Sequence, residues 1–162
     1  MTTTPSSGYD YDNLYKVFAG MLQSKLNLTM IDLNDKGVQP SAPFVAFDII
    51  SPNIPLNWLE DDGANAFEAV VSFTVYGRTK VNALNLAEQW RNQLKAFRTQ
   101  LELKDAEVVL VEIMATQIRS VAETTQSAFM VGFDVRLRLQ EPFEDMDIDT
   151  IENIEIEKGE SE

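Results

Sequence analysis

The chain has 162 residues, a net charge of −13, and neither cysteine nor histidine. This length fits one domain with a single core. The missing residue types exclude disulfides and thiolate metal sites, and they remove the commonest general base and metal ligand. No apolar run approaches the roughly 20 residues that span a bilayer, and the first residues lack a basic, apolar signal segment. We therefore expect a soluble protein that stays in the compartment where it is made.

The negative charge is concentrated at the C-terminus. Residues 141–162 hold ten acidic residues and a single lysine, which gives this segment −9 and leaves only −4 for the rest of the chain. A protein that grips nucleic-acid phosphates is expected to carry a strongly basic face, and no such face is visible in the sequence. The acidic balance instead favours solubility and repels nucleic acid.

A helix is predicted near the N-terminus. Asp10 or Asp12 can cap it, and it is expected to end near residues 27–28. Its apolar stripe has a spacing of three and four residues and consists of Tyr11, Leu14, Tyr15, Phe18, Leu22 and Leu26.

A connector over residues 33–43 precedes the first predicted strand. It contains one glycine and two prolines, which favour turns over regular structure. The strand is predicted over residues 44–51. Pro52 and Pro55 are expected to end it, because proline cannot donate a hydrogen bond to a strand ladder.

Residues 54–65 form a long predicted loop that is rich in large apolar side chains. Its apolar residues are Ile54, Leu56, Trp58 and Leu59, and an acidic triplet follows them at residues 60–62. One interpretation is that these side chains fold over the domain's own core. The other is a contact with a second subunit, with Trp58 and Leu59 at the interface and Trp58 as its anchor.

The pattern changes at Gly77, from an alternation of apolar residues to a spacing of three and four. Before it, a strand over residues 67–76 is predicted to bury Phe67, Ala69, Val71, Phe73 and Val75, with Glu68, Ser72 and Thr74 on its other face. After it, Thr79 can cap a helix. That helix is predicted to bury Ala83, Ala87, Trp90, Leu94, Phe97 and Leu101, and we interpret this stripe as core.

Two further strands are predicted over residues 107–121 and 128–140. The second alternates most regularly, with Phe129, Val131, Phe133, Val135, Leu137 and Leu139 facing in and Met130, Asp134, Arg136 and Arg138 facing out. Outward arginines are commonly solvated or matched to neighbouring acids. Arg119, Arg136 and Arg138 are also candidates for a charged subunit interface.

These elements follow the order helix, strand, strand, helix, strand, strand. The order predicts a single α+β domain over residues 1–142, with one sheet of about four mostly antiparallel strands and both helices packed on one face. The other sheet face and the sheet edges would then be free for partners.

Residues 143–162 are predicted to be an acidic C-terminal arm. Charge alone favours a disordered, solvating tail. However, the acidic residues are interspersed with Met146, Ile148, Ile151, Ile154 and Ile156, a spacing that can place the isoleucines on one side of an extended arm. Such an arm could lie along a neighbouring subunit, for instance as an added strand at its sheet edge, with the four isoleucines at the interface.

The sequence contains no complete motif for catalysis or cofactor binding. Asp145, Asp147 and Asp149 resemble the start of a calcium loop, but Thr150 replaces its glycine and Ile156 its bidentate glutamate. The acidic triplet of the long loop fits a turn, and a paired acid and base site there is a remote alternative. No phosphate-binding glycine loop, nucleophile elbow or zinc spacing is present. We expect no cofactor, no metal and no enzymatic activity.

Three segments and the order of the elements carry a family resemblance. The segments are the opening YDYDNLYKVFAGMLQ, the stretch PSAPFVAFDIISP and the strand-turn-helix VVSFTVYGRTKVNALNLAEQWRNQL. Together they resemble the neck and tail terminator proteins of tailed bacteriophages. The resemblance covers residues 9–140 and leaves the acidic arm outside it.

That family implies a ring, usually a hexamer, at the top of the tail tube. The ring stops tube growth and presents a surface to the head connector or stopper protein, and in contractile phages it can also meet the sheath protein. The implied partners are further copies of this chain, the tail tube protein and the connector, without specific binding to the genomic DNA that passes through and without a membrane. The implied location is the neck of the virion, and the host cytoplasm during assembly.

Two other classes of function stay open from the residues alone. One is another neck component, such as a head completion or adaptor protein, or a different self-assembling tail subunit. The other is a small enzyme that uses carboxylates, or a ligand-binding module.

Overall fold

The computed structural model describes residues 8–33, 37–56, 66–120 and 129–141. The elements over these residues are α1 (Tyr11–Leu26), β1 (Met30–Asp32), β2 (Phe44–Pro55), β3 (Ala66–Gly77), α2 (Lys80–Lys95), α3 (Phe97–Asp105), β4 (Val108–Ile113), β5 (Gln117–Ile118) and β6 (Phe129–Gln140). The predicted α+β class is confirmed. The described residues contain three helices and six strands, more than the predicted two helices and about four strands.

The strands form one sheet in the order β1-β2-β3-β6-β4, and β5 also pairs with β6. Strand β1 runs parallel to β2, and the other described pairs are antiparallel. Strands β3 and β6 pair along their whole lengths, from Ala66 opposite Gln140 to Gly77 opposite Phe129. The mostly antiparallel sheet expected from the sequence is therefore confirmed.

The core lies between the helices and one face of this sheet. The ring centroids of Phe18 in α1 and Trp90 in α2 lie 5.1 Å and 5.4 Å from that of Phe73 in β3, so both helices pack on the same face. The inward residues predicted for β3 are all buried, as are those of β6 from Val131 to Leu139. Strict alternation in these two strands was a reliable signal because one face is filled by helices.

Both predicted helix caps are present. The Asp10 carboxylate accepts hydrogen bonds from the backbone N–H groups of Asp12 at 3.0 Å and Asn13 at 3.4 Å. The Thr79 hydroxyl accepts one from the N–H of Asn82 at 3.0 Å. These bonds satisfy donors that the first turn of a helix leaves without backbone partners.

Gly77 is required for close packing at the start of α2. A Cβ at this position would lie 2.5 Å from the backbone nitrogen of Ala83. The turn out of β3 therefore brings the helix backbone against the strand end, where only glycine fits.

The first and third predicted strands differ from the observed ones. Strand β2 does not stop at Pro52 but continues to Pro55, and Ile54 pairs with Glu68 instead of belonging to a loop. Register shifts after Ile49 and after Ser51 accommodate the prolines, since a bulge removes the need for a ladder hydrogen bond. The strand predicted over residues 107–121 is split into β4 and β5, and the three-residue β1 was missed.

The helix predicted from Thr79 to beyond Leu101 is broken at Ala96. Ala96 has an extended backbone (φ −64°, ψ 136°), and α3 begins at the next residue. The break rotates the apolar stripe, so that Thr99 and Leu103 are buried while Phe97 and Leu101 are 75% and 47% exposed. The prediction that Phe97 and Leu101 belong to the core is wrong.

Candidate interaction surface

The sheet face opposite the helices carries polar side chains at its centre. This polar face is defined by Glu68, Ser72, Thr74, Arg119, Asp134, Arg136 and Arg138. Glu68, Ser72 and Thr74 are only 7%, 6% and 7% exposed, although α1 and α2 pack on the opposite face of the sheet. Long arginine side chains lie across them instead, which is the way arginine commonly covers a surface while its head group stays partly in water.

Arg119 holds one half of the polar face together. Its Nη1 donates to the hydroxyl oxygens of Ser72 at 2.5 Å and Thr74 at 2.8 Å, and its Nη2 lies 2.8 Å from Oδ1 of Asp134. The backbone N–H of Arg119 donates to the carbonyl of Met130, which fixes the start of the side chain. A fork of donors spanning two strands is a geometry that guanidinium provides and lysine does not.

Glu68 holds the other half. Its Oε2 accepts a hydrogen bond from Nη2 of Arg138 at 3.0 Å, and its Oε1 lies 3.4 Å from Nε of Arg136. The second contact is an ion pair without hydrogen-bond alignment, because the Arg136 Nε has no hydrogen-bond partner among the described residues. Two partly exposed arginines thus share one nearly buried carboxylate, and the three side chains together keep one positive charge.

Aromatic residues close one end of the polar face. The Phe44 and Tyr76 rings stack with centroids 4.6 Å apart and planes within 10° of each other. Burial raises the pKa of the Tyr76 phenol, so the group stays protonated and uncharged near neutral pH. The face is therefore apolar at this end and braced by ion pairs at its centre.

An acidic groove lies at the β1 edge of the sheet, between α1 and β2. It has a volume of about 540 Å³ and is lined by Tyr11, Asp12, Tyr15, Asp32, Phe47, Asp48 and Ile49. The Tyr11 hydroxyl donates to the carbonyl of Pro52 at 2.7 Å, and the Tyr15 hydroxyl donates to that of Met30 at 2.9 Å. Within the described ranges, no group of three or more His, Cys, Asp or Glu residues is arranged to hold a metal ion.

A cluster of aromatic rings lies beside this groove, where the start of α1 meets the start of β3. Tyr9 meets Tyr11 and Phe67 edge to face, with centroids 5.0 Å and 5.3 Å apart. Burial, with further contributions from Tyr11, Asp10 and Glu107, raises the pKa of Tyr9 to about 12. Burial and the Glu141 carboxylate raise the pKa of Tyr11. Neither phenol is poised to ionise at neutral pH, so neither suits acid–base chemistry.

The structure brings three of the predicted interface residues together. Arg119, Arg136 and Arg138 share the polar face. Arg119 forms an ion pair with Asp134, and the other two arginines share Glu68. Trp58 and Leu59, and the isoleucines at residues 148, 151, 154 and 156, lie outside the described residues. Their assignment to an interface stays a prediction.

Glu68 is central to this surface, although sequence reasoning assigned it no role. Its position on the outer face of β3 was predicted, but its partners follow from the register of β3 on β6, which sets Glu68 opposite Arg138. A lone acid within an apolar strand, facing arginines on another strand, is the signal available in the sequence. The register that joins them is a tertiary property.

Fold and surface together define an α+β domain with one sheet face covered by helices and one polar face braced by ion pairs. Within the described part of the chain, no helix is both long and apolar enough to cross a bilayer. The sequence model of the family described as phage neck terminator protein matches residues 12–162, and the chain belongs to that family. This confirms the resemblance predicted from the sequence. A comparison with curated proteins gave no match.

The family match also corrects one expectation. The resemblance was predicted to end at residue 140, whereas the match continues to Glu162 and includes the acidic segment. That segment is therefore part of what the family model covers. The chain is a structural component of the phage neck by family.

Proposed function

We propose that the protein forms a ring that caps the tail tube at the neck and joins it to the head connector while DNA passes through the centre. Membership of the neck terminator family is the observation that carries this proposal. The domain fits a repeating structural subunit, because its polar face is rigidly braced and offers a large surface outside the core. The protein is then a virion component without enzymatic activity.

The polar face is proposed as a subunit or partner interface. Its three arginines pair with only two carboxylates, Asp134 and Glu68, so the face keeps one positive charge that an acidic partner surface would complement. Trp58 and Leu59 are proposed to anchor a further contact from the segment that follows β2 in the sequence. The proposed partners are copies of the same chain, the tail tube protein, the connector or stopper and, in a contractile tail, the sheath protein.

The charge distribution favours passage of DNA without specific binding. The whole chain carries 26 acidic residues against 13 basic ones, and the three arginines of the polar face all form ion pairs with Asp134 or Glu68. A lumen poor in unpaired cations releases few counterions from DNA and so holds it weakly. A gel-shift titration with duplex DNA at physiological salt is expected to detect no complex.

Native mass spectrometry and negative-stain imaging of the purified protein test the ring directly. The samples are the protein alone and the protein with tail tubes, since a ring can close only on its tube. Closed hexameric rings with an open centre are expected in at least the second sample. A twelvefold ring would point to an adaptor instead, and a monomer under both conditions would contradict the proposal.

A further inference from the structure

The outer side of α3 combines exposed apolar side chains with cations. The α3 patch is defined by Lys95, Phe97, Arg98, Leu101 and Lys104. Phe97 and Leu101 stand four residues apart and therefore share one side of the helix, where they are 75% and 47% exposed. An exposed phenylalanine and leucine on one helix side mark a surface that a partner is expected to cover.

The cations of the α3 patch are not neutralised by the domain. Lys95, Arg98 and Lys104 take part in no ion pair with the described residues, in contrast to the three arginines of the polar face. The nearby Glu102 is held by Lys25, whose Nζ lies 3.3 Å from its Oε2. Asp105, at the end of α3, adds one exposed carboxylate to this side of the helix, and the three cations keep the patch net positive. The patch is thus a positive, apolar surface in a strongly acidic protein.

The same chain contains a segment with the opposite character. Residues 143–162 carry nine acidic residues and one lysine, with isoleucines at 148, 151, 154 and 156 interspersed among the acids. The isoleucine side chains of the segment can pack on the exposed apolar residues of the patch. Its carboxylates carry the charge opposite to that of the patch's lysines and arginine. Apolar anchors flanked by complementary charge are the usual way in which a segment is recognised in a groove or on a helix face.

We propose that the acidic C-terminal segment of one subunit docks on the α3 patch of a second copy of the chain. A cyclic ring joins two different surfaces of each subunit, and the segment and the patch are such a pair. An extended segment of twenty residues reaches about 70 Å, which greatly exceeds the roughly 14 Å length of α3. This docking rests on the proposed ring for the presence of a neighbour.

Docking on the patch of the same subunit is the competing arrangement. The segment starts just after Gln140, and Leu139 in β6 pairs with Val108, three residues beyond the end of α3. A test must therefore separate a contact between subunits from one within a subunit.

Cysteine crosslinking separates the two arrangements, because the chain has no cysteine of its own. A full-length Leu101→Cys variant is mixed, under mild oxidation, with a size-tagged variant that carries Ile148→Cys, Ile151→Cys or Ile154→Cys. Mixed disulfide dimers are expected from at least one pairing. A double variant with both cysteines in one chain is expected to give linked oligomers rather than internally linked monomers.

Matched variants make the result specific. Phe97→Asp added to the Leu101→Cys chain should lower the dimer yield about tenfold, because it removes an apolar anchor outside the core. Val38 lies between β1 and β2 and is 99% exposed, so a cysteine there is accessible but outside the α3 patch. Val38→Cys, used as a control in place of Leu101→Cys, should give little mixed dimer. Added salt should lower the yield of the mixed dimer.

The proposal is overturned if no pairing crosslinks above the Val38→Cys level, or if the double variant links only within single chains. Crosslinking is carried out both in solution and with tail tubes, because the ring can close only on its tube, and the products are read on denaturing gels. Failure of the ring is distinguishable, because imaging of the same samples shows whether rings are present. Rings on tubes can be seen by imaging whether or not the segment docks.

Discussion

Arg119 lies directly over Gly132 on the polar face. A Cβ at residue 132 would stand 2.7 Å from the Arg119 Nη1 and would also collide with the carbonyl oxygen of Phe73. The absence of a side chain therefore leaves room for a guanidinium that joins Ser72, Thr74 and Asp134 across two strands. A single glycine in β6 allows the polar face to be braced.

Gly132→Ala is expected to destabilise the domain by about 1–3 kcal/mol, because both the backbone and the guanidinium would have to move. Gly20→Ala is the matched control, since a Cβ there meets nothing within 4 Å and alanine is favoured in a helix. Chemical denaturation measures both free energies of unfolding. Equal values for the two variants would contradict the packing described for Arg119.

Glu68→Gln is expected to lower the free energy of unfolding by about 1–2 kcal/mol, a modest value because Arg136 and Arg138 are partly solvated. The substitution keeps the shape of the side chain and removes the charge that pairs with both arginines. Glu88→Gln, on the exposed side of α2 and away from both arginines, is the control and should change stability little. If both variants unfold alike in denaturant titrations, Glu68 does not hold the arginines.

Arg91→Met tests the junction between β4 and β5. Arg91 donates to the carbonyls of Ile113 and Met114, and its guanidinium carbon lies 5.6 Å from the Phe133 ring centroid. Loss of these contacts should cost about 1–3 kcal/mol in thermal or chemical unfolding.

The control for Arg91 is Arg98→Met on the exposed side of α3, which should leave stability within about 0.5 kcal/mol of the wild type. Hydrogen exchange should also speed up in β4 and β5 for Arg91→Met alone. Unchanged exchange there would show that Arg91 does not fix this part of the sheet.

Ionisation of the buried Tyr9 phenol is expected to lower the free energy of unfolding in strong alkali. Its pKa is raised from 10.0 to about 12 in the folded protein, mainly by burial, so the folded state binds the phenolic proton more tightly than the unfolded state. This contribution is complete below pH 10 and is lost as the pH rises to about 12. Tyr9→Phe should therefore lose less stability over that interval than the wild type, measured by denaturation at each pH. An identical pH profile would contradict the burial of Tyr9.

Regular alternation and helical spacing predicted the parts of the fold that surround the core. Strands β3 and β6 follow from alternation, and α1 and most of α2 from stripes with the caps Asp10 and Thr79. The break at Ala96 had no local signal, because alanine favours a helix. It becomes understandable only from the burial of Leu103.

The polar face, too, could be predicted from the sequence only in part. Outward arginines in β6 were predicted from alternation, whereas their pairing with Glu68 depends on the register of two strands far apart in sequence. The continuation of β2 past Pro52 depends on bulges, which are formed by strand pairing rather than by local preference. Sequence patterns therefore identified the elements of the surface, and long-range pairing determined which side chains meet.

Growth of tail tubes in the presence of the purified protein tests the central claim most directly. Tube protein is allowed to polymerise from tail initiators, the neck protein is added at a fixed time, and tube lengths are measured by electron microscopy. The account predicts that growth stops on addition and that a ring stands at the growing end of each tube. Tubes that continue to lengthen with the protein present, or that bind it along their walls without a terminal ring, would contradict it.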